Sequence, residues 1–170
     1  MLTLSWTRPV VDAGQECCGG PTPENLWQAL LHKAQFPVDY VPAIKECRIT
    51  EWYADGFLRE IRRGDQTFLQ RVTPQESAGR ITYRHLDDTD IAEIRNEMGE
   101  DEQGRLTLTL SITLTDRPAA AILAQNTYLR DLDCDFHGTL EAMTQVLHRV
   151  MMRTAADAAT TTAPHAPQGS

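Results

Sequence analysis

Residues 105–115 read Arg-Leu-Thr-Leu-Thr-Leu-Ser-Ile-Thr-Leu-Thr. Side chains of a strand point to opposite faces in turn, so Leu106, Leu108, Leu110, Ile112 and Leu114 share one face and Thr107, Thr109, Ser111, Thr113 and Thr115 the other. So complete a division places the strand at the boundary of an apolar interior, and what lies against its Leu face decides what the chain can do. A partner follows: Phe136, Leu140, Met143, Leu147 and Met151 recur at helical spacing in a stretch without Pro. A sheet and a closing helix are therefore the frame. The hydroxyl row reads as solvated, which argues for a monomer or weak homodimer over a broad sheet-to-sheet dimer.

The rest of the chain supplies the other strands. Residues 47–53, 57–63, 67–72, 80–85, 91–98 and 106–115 are each of strand length, and residues 2–7 alternate as a further short one. Asp55-Gly56 and Gly64-Asp65 between two such runs are tight-hairpin signals, so the strands form an antiparallel meander. No crossover helix interrupts them, which excludes a doubly wound parallel sheet. Ahead of the meander, residues 10–20 read as a loop, and Thr22-Pro23-Glu24-Asn25 opens a helix whose apolar stripe is Leu26, Trp27, Leu30 and Leu31. Pro37 ends that helix, and a short helical turn is expected over 38–44. From residue 156 the chain turns to Ala, Thr, Pro, Gly and Ser, so residues 1–155 are expected to form one domain and 156–170 a disordered tail.

Charge and cysteine usage narrow the partners. The net charge is −8 and no basic run exceeds Arg62-Arg63, which argues against nucleic acid and against an anionic membrane surface. No stretch approaches the ~18 apolar residues of a membrane span, and a cytoplasmic chain is expected. Cys17 and Cys18 are adjacent while Cys47 and Cys134 stand apart, a spacing that suggests free thiols rather than a metal site or a disulfide framework. Nucleophile-elbow, Walker, dinucleotide-binding and His-Glu-x-x-His motifs are all absent, so acyl-enzyme, nucleotide and dinucleotide chemistry have no warrant.

The order strand, helix, six antiparallel strands, long helix is that of a helix-grip, an α+β architecture in which a curved seven-stranded antiparallel sheet wraps a long C-terminal helix. The chain resembles START-like proteins of the SRPBCC superfamily, and within them the AtaL-like branch of fungi and bacteria. The resemblance spans approximately residues 2–153. It is carried by residues 26–34 with Pro37, Val41-Pro42, Ile44 and Cys47, then Arg59-Glu60-Ile61, Arg71-Val72, Asn96, residues 106–110 and Gly138-Thr-Leu-Glu-Ala142. It implies an apolar cavity between sheet and helix.

Polar side chains facing such a cavity orient a ligand or move a proton. On 57–63 the inward set is either Phe57, Arg59 and Ile61 or Leu58, Glu60 and Arg62, and the apolar count favours the first. Arg59 then pairs a carboxylate or enolate of a small molecule through its planar fork, or else a nearby acid such as Glu60. Gln70 shares a face with Phe68 and Val72; Asn96 shares one with Ala92, Ile94 and Met98, and bonds either a neighbouring strand or a ligand. Tyr83 and His85 share a face with Ile81, and a phenol and an imidazole can donate to an oxyanion or take a proton near neutral pH. Asp131, Asp133 and Asp135, with Cys134 and His137, fall where the last helix is expected to begin, so helix capping is their first reading and no metal is expected.

Two functions follow from the resemblance. One is a cofactor-free enzyme of secondary metabolism, a cyclase- or dehydratase-type lyase or isomerase acting on a polyketide- or peptide-derived intermediate. Its catalytic residues would be Arg59, Tyr83 and His85, with Asn96, Gln70, Leu106, Leu108, Leu110, Phe136, Leu140 and Met143 contacting substrate. The other is a carrier that holds an apolar small molecule and does no chemistry. A core filled by its own side chains is a third possibility.

Overall fold

In the computed structural model, residues 1–10, 22–116 and 126–161 are described. Seven antiparallel strands form one sheet: β1 (Leu2–Pro9), β2 (Ile44–Tyr53), β3 (Gly56–Arg63), β4 (Gln66–Gln75), β5 (Arg80–His85), β6 (Ile91–Glu100) and β7 (Leu106–Leu114). Their spatial order is β1-β7-β6-β5-β4-β3-β2, so the meander runs unbroken from β2 to β7 and the N-terminal strand closes on the last one. Helices α1 (Pro23–Gln35) and α2 (Asn126–Thr161) complete the helix-grip.

Local chemistry explains the element ends. Thr22 caps α1 through a reciprocal pair of bonds with Asn25, and Pro23 occupies the first helical position, where its missing N–H costs nothing. Pro37 stops the helix and opens a 3-10 turn, Pro37–Asp39. That turn is shorter than the one expected over 38–44, because β2 already starts at Ile44. Gly64 takes a left-handed φ of 58° in the β3–β4 hairpin, a conformation that disfavours any side chain.

The sheet's inner face and α2 bury one another. Leu108, Ile112 and Leu114 on β7 and Leu140, Leu147 and Met151 on α2 have no exposed surface, and Phe136 and Met143 are nearly as deep. Each side chain of this kind contributes about 1.5–3 kcal/mol by leaving water. Trp6 of β1 fastens α2 from the side: its ring stacks on Phe136 with centroids 5.6 Å apart, and its indole N–H donates to Asp133 Oδ1 at 2.6 Å.

Three expectations need correction. The hydroxyl row of β7 is not freely solvated, since Thr107 and Ser111 are buried. The neighbouring strand carries hydroxyls in the same register, giving side-chain bonds Thr3–Thr113, Ser5–Ser111 and Thr7–Thr109 of 2.7–3.0 Å. The acidic run 131–135 does not cap α2: the helix begins at Asn126, and Asp131, Asp133 and Asp135 lie inside it. Residues 156–161, expected in a disordered tail, continue α2 as helix to Thr161, because Ala-rich sequence propagates a helix already nucleated by packing. The loop expected over 10–20 falls, but for Val10, outside the described residues.

Candidate functional site

The site begins with strand phase. Phe57, Arg59 and Ile61 all face inward and are buried, which settles the alternation on β3. The tight β3–β4 hairpin then sets Gln70 directly opposite Arg59, and the β4–β5 pairing sets His85 directly opposite Gln70. Three polar side chains thus form one row across three strands. Arg59 donates from Nε and Nη2 to Gln70 Oε1 at 3.0 and 2.8 Å, and from Nη1 to the carbonyl of Ala34 at 2.5 Å. With its oxygen engaged, the Gln70 amide offers its NH2 to His85 Nε2, 2.9 Å away. That bond requires a ring nitrogen free of hydrogen, so His85 is neutral. Burial, helped by the nearby Arg63 charge, lowers its pKa to about 4.

Among the described residues Arg59 has no carboxylate partner. Glu60, the acid next to it, points to the other face and pairs with Arg48. Burial pushes the guanidinium's pKa down, yet a group with so high an ordinary value stays charged.

A second cation lies beside it. The apolar stripe of α1 continues from Leu26 and Leu30 to Lys33 and Ala34, and Lys33 is only 4 % exposed. Its ammonium nitrogen donates to Asn96 Oδ1 at 2.5 Å and to the Tyr83 hydroxyl at 3.4 Å. Lys33 Nζ lies 4.9 Å, and Arg59 Cζ 4.7 Å, from the centroid of the Tyr83 ring. Burial first and the Arg59 charge second bring the Lys33 pKa down to about 7. Burial pushes the Tyr83 phenol up to about 12, with Arg59 opposing, so the hydroxyl keeps its proton. Asn96 Nδ2 is buried and finds no partner among the described residues.

These groups border one cavity of about 60 Å³, walled also by Leu110, Phe136 and Met143. It has room for a few waters and is smaller than the ~300–1,000 Å³ typical of small-molecule sites. Among the described residues no Asp or Glu lines it, although Lys33, Arg59 and Arg63 do. The structure therefore brings together Arg59, Gln70, Tyr83, Asn96, Leu110, Phe136 and Met143. It leaves Leu106, Leu108 and Leu140 in the packed core away from this lining, and sets His85 one layer out, in a groove with Asp87 and Asp90. Asn96 bonds neither of the partners expected for it, since Lys33 comes from the helix. Lys33 escaped sequence reasoning, though its seven-residue spacing from Leu26 marks the same helical face. Among the described residues no cluster of three His, Cys, Asp or Glu side chains could hold a metal ion, and no helix is long and apolar enough to cross a membrane.

Residues 5–126 match the sequence model of the AtaL family, described as acetylaranotin biosynthesis cluster protein L. No curated protein sequence matches the chain. Among solved structures, the Zhui aromatase/cyclase from Streptomyces sp. R1128 is 14% identical with a TM-score of 0.61, covering 92% of this chain and 97% of its own. TTHA0849 from Thermus thermophilus is 12% identical with a TM-score of 0.57, covering 91% of this chain and 99% of its own. The di-domain ARO/CYC StfQ from the steffimycin biosynthetic pathway is 14% identical with a TM-score of 0.55; 94% of this chain aligns to 52% of StfQ, about half its length. At such identities the likeness is one of fold.

Proposed function

Because the chain belongs to the AtaL family of acetylaranotin biosynthesis cluster protein L, we propose that it is a small-molecule enzyme of secondary metabolism. Without a cofactor, it folds and cyclises, dehydrates or rearranges a polyketide- or peptide-derived carbonyl intermediate. The observation that carries this reading is a cavity holding buried cationic side chains and no carboxylate among the described residues. Such an interior favours a guest that brings or develops negative charge, and an enolate or a polarised carbonyl does so. Two proteins that share the fold are aromatase/cyclases, which agrees with it.

Roles follow from position. Arg59, held on two sides by Gln70 and the Ala34 carbonyl, is a fixed positive charge for a developing oxyanion. Tyr83 donates a proton, and Asn96 Nδ2, without a partner among the described residues, orients a carbonyl oxygen. His85 positions Arg59 through Gln70 rather than touching substrate. Leu110, Phe136 and Met143 exclude water from the reacting segment. A cavity of about 60 Å³ takes only that segment, and a longer intermediate requires the lining to part.

The test is native mass spectrometry of the full chain from its producing cells, followed by release of bound molecules after incubation with candidate carbonyl intermediates. A released molecule of changed mass establishes turnover. A stoichiometric ligand returned unchanged makes the protein a carrier instead.

A further inference from the structure

We propose that Lys33 is a nucleophile that forms a covalent imine with a ketone or aldehyde carbonyl of the ligand. The inference deepens the function proposed above and rests on the cavity's admitting a carbonyl compound. It starts from a contrast in residue choice. The chain has 14 Arg but only two Lys, Lys33 and Lys45. Lys45 is exposed and donates to the Pro42 carbonyl, whereas Lys33 is buried against the cavity. A permanent charge for an oxyanion is already present in Arg59. What Lys33 adds, and Arg cannot, is a nitrogen able to lose its proton and expose a lone pair.

The surroundings suit that role. Both partners of Nζ are neutral, Asn96 Oδ1 and the Tyr83 hydroxyl. No carboxylate among the cavity-lining described residues holds it as an ammonium, and Arg59 opposes a second positive charge. Near neutral pH a substantial share of the molecules therefore carries the free amine. Asn96 Nδ2, which has no partner among the described residues, can donate to the carbonyl oxygen of a guest whose carbon meets Nζ.

The chemistry balances without oxidant or reductant. The Nζ lone pair attacks the carbonyl carbon; the C–N bond forms as the C=O π bond breaks, and a proton then passes from the nitrogen to the oxygen, giving a carbinolamine and restoring a lone pair on nitrogen. The C–O bond then breaks, the oxygen leaves as water with a second proton drawn from solvent, and that lone pair completes the C=N bond of a protonated imine. Tyr83, 3.4 Å from Nζ, is placed to pass protons between nitrogen and oxygen. A protonated imine acidifies the neighbouring C–H, which serves ring closure or loss of water, and hydrolysis restores the lysine. The substrate class is accordingly a ketone or aldehyde with an enolisable C–H, such as a 1,3-dicarbonyl segment.

The probe is pentane-2,4-dione, added to the full chain at neutral pH. Its lysine adduct is a conjugated enaminone, read by near-ultraviolet absorbance, by intact mass and by peptide mapping of the two lysines. The expected result is labelling of Lys33 at least about tenfold faster than Lys45, with a rate that rises through a midpoint near neutral pH. The groups that face Lys33 and set that midpoint are Arg59 from β3, Tyr83 from β5 and the neutral Asn96 from β6. Tyr83→Phe should slow adduct formation, and Lys33→Arg should leave Lys45 as the one labelled lysine. Labelling of Lys45 with Lys33 untouched overturns the proposal, and the mapping needs no variant that must first fold. Two further outcomes separate the inference from the reading beneath it. Turnover that persists in Lys33→Met removes the imine and keeps the enzyme; a Lys33 adduct in a protein that turns over no intermediate keeps the imine and removes the enzyme.

Discussion

The two faces of the sheet treat positive charge in opposite ways. On the outer face and its hairpins, arginines meet acids: Arg48 with Glu60, Arg62 with Glu46, Arg71 with Asp55 and Arg105 with Asp101. On the inner face Arg59 and Lys33 are almost wholly buried, and their bonded partners are an amide side chain each, a backbone carbonyl and a phenol. Desolvation of an ion is expensive, and an acid in the cavity would have offset it. Outer pairs in water contribute little either way. The side where pairing matters least is paired, and the side where it matters most is left for something else to complete.

Removing the fixed charge breaks this contrast most severely. Arg59→Met strands Gln70 Oε1 and the Ala34 carbonyl in the interior, so a loss of about 1–3 kcal/mol in denaturant unfolding is expected for each unsatisfied group that water cannot reach. Turnover of any cognate carbonyl intermediate should fall by about two orders of magnitude, the scale of losing one oxyanion donor. Because Arg59 also depresses Lys33, the midpoint of Lys33 labelling should move up in this variant. An unmoved midpoint would show that burial alone sets it.

Asn96→Asp makes the inner face resemble the outer one. The new carboxylate stands where Oδ1 now accepts from Lys33, so the amine is expected to hold its proton through neutral pH and its labelling to drop by tenfold or more. Unchanged labelling would mean that the carboxylate had turned away or taken up a proton itself, and its infrared band distinguishes these.

Why one face was legible and the other only partly so follows from what each depends on. Alternation on β7 and helical spacing on α2 specify burial directly, and Leu108, Ile112, Leu140 and Leu147 lie where periodicity puts them. The inward phase of Arg59 followed from Phe57 and Ile61 beside it. Its link to Gln70 and His85 needed register, which the Gly64-Asp65 hairpin implies but single-strand reading does not use. Lys33 was hidden for another reason. A lysine on an apolar stripe ordinarily lays its stem on the core and keeps its amine in water, and only the sheet packed over α1 denies it that route. The start of α2 was misplaced because acids favour helix N-termini and the run at 131–135 imitates one; Asp133 instead serves Trp6.

The pH dependence of stability sharpens the contrast further. Lys33 ionises at about 7 in the folded chain and at the ordinary 10.5 when unfolded. Between those values the unfolded chain binds the extra proton, so stability rises with pH; below the lower value both states are protonated and the burial penalty stands in full. The slope from this group is at most about 1.4 kcal/mol per pH unit. Lys33→Met lacks it, so the difference in unfolding free energy, wild type minus variant, should climb from pH 7 towards 10 and be flat below. A flat difference throughout would mean that Lys33 stays charged when folded.

The smallest effect is expected where pairing is complete. Arg48 is three-quarters exposed and binds Glu60 across the β2–β3 pair at 2.5 Å. Arg48→Ala should shift unfolding by no more than about 1 kcal/mol, by less in high salt, and leave Lys33 labelling where it was. Glu60 adjoins Arg59 in sequence but lies on the opposite face, so losing its partner releases no charge into the cavity. If Arg48→Ala nevertheless moved the Lys33 midpoint, the sheet would not insulate its two faces, and the outer pairs would belong to the electrostatics of the site.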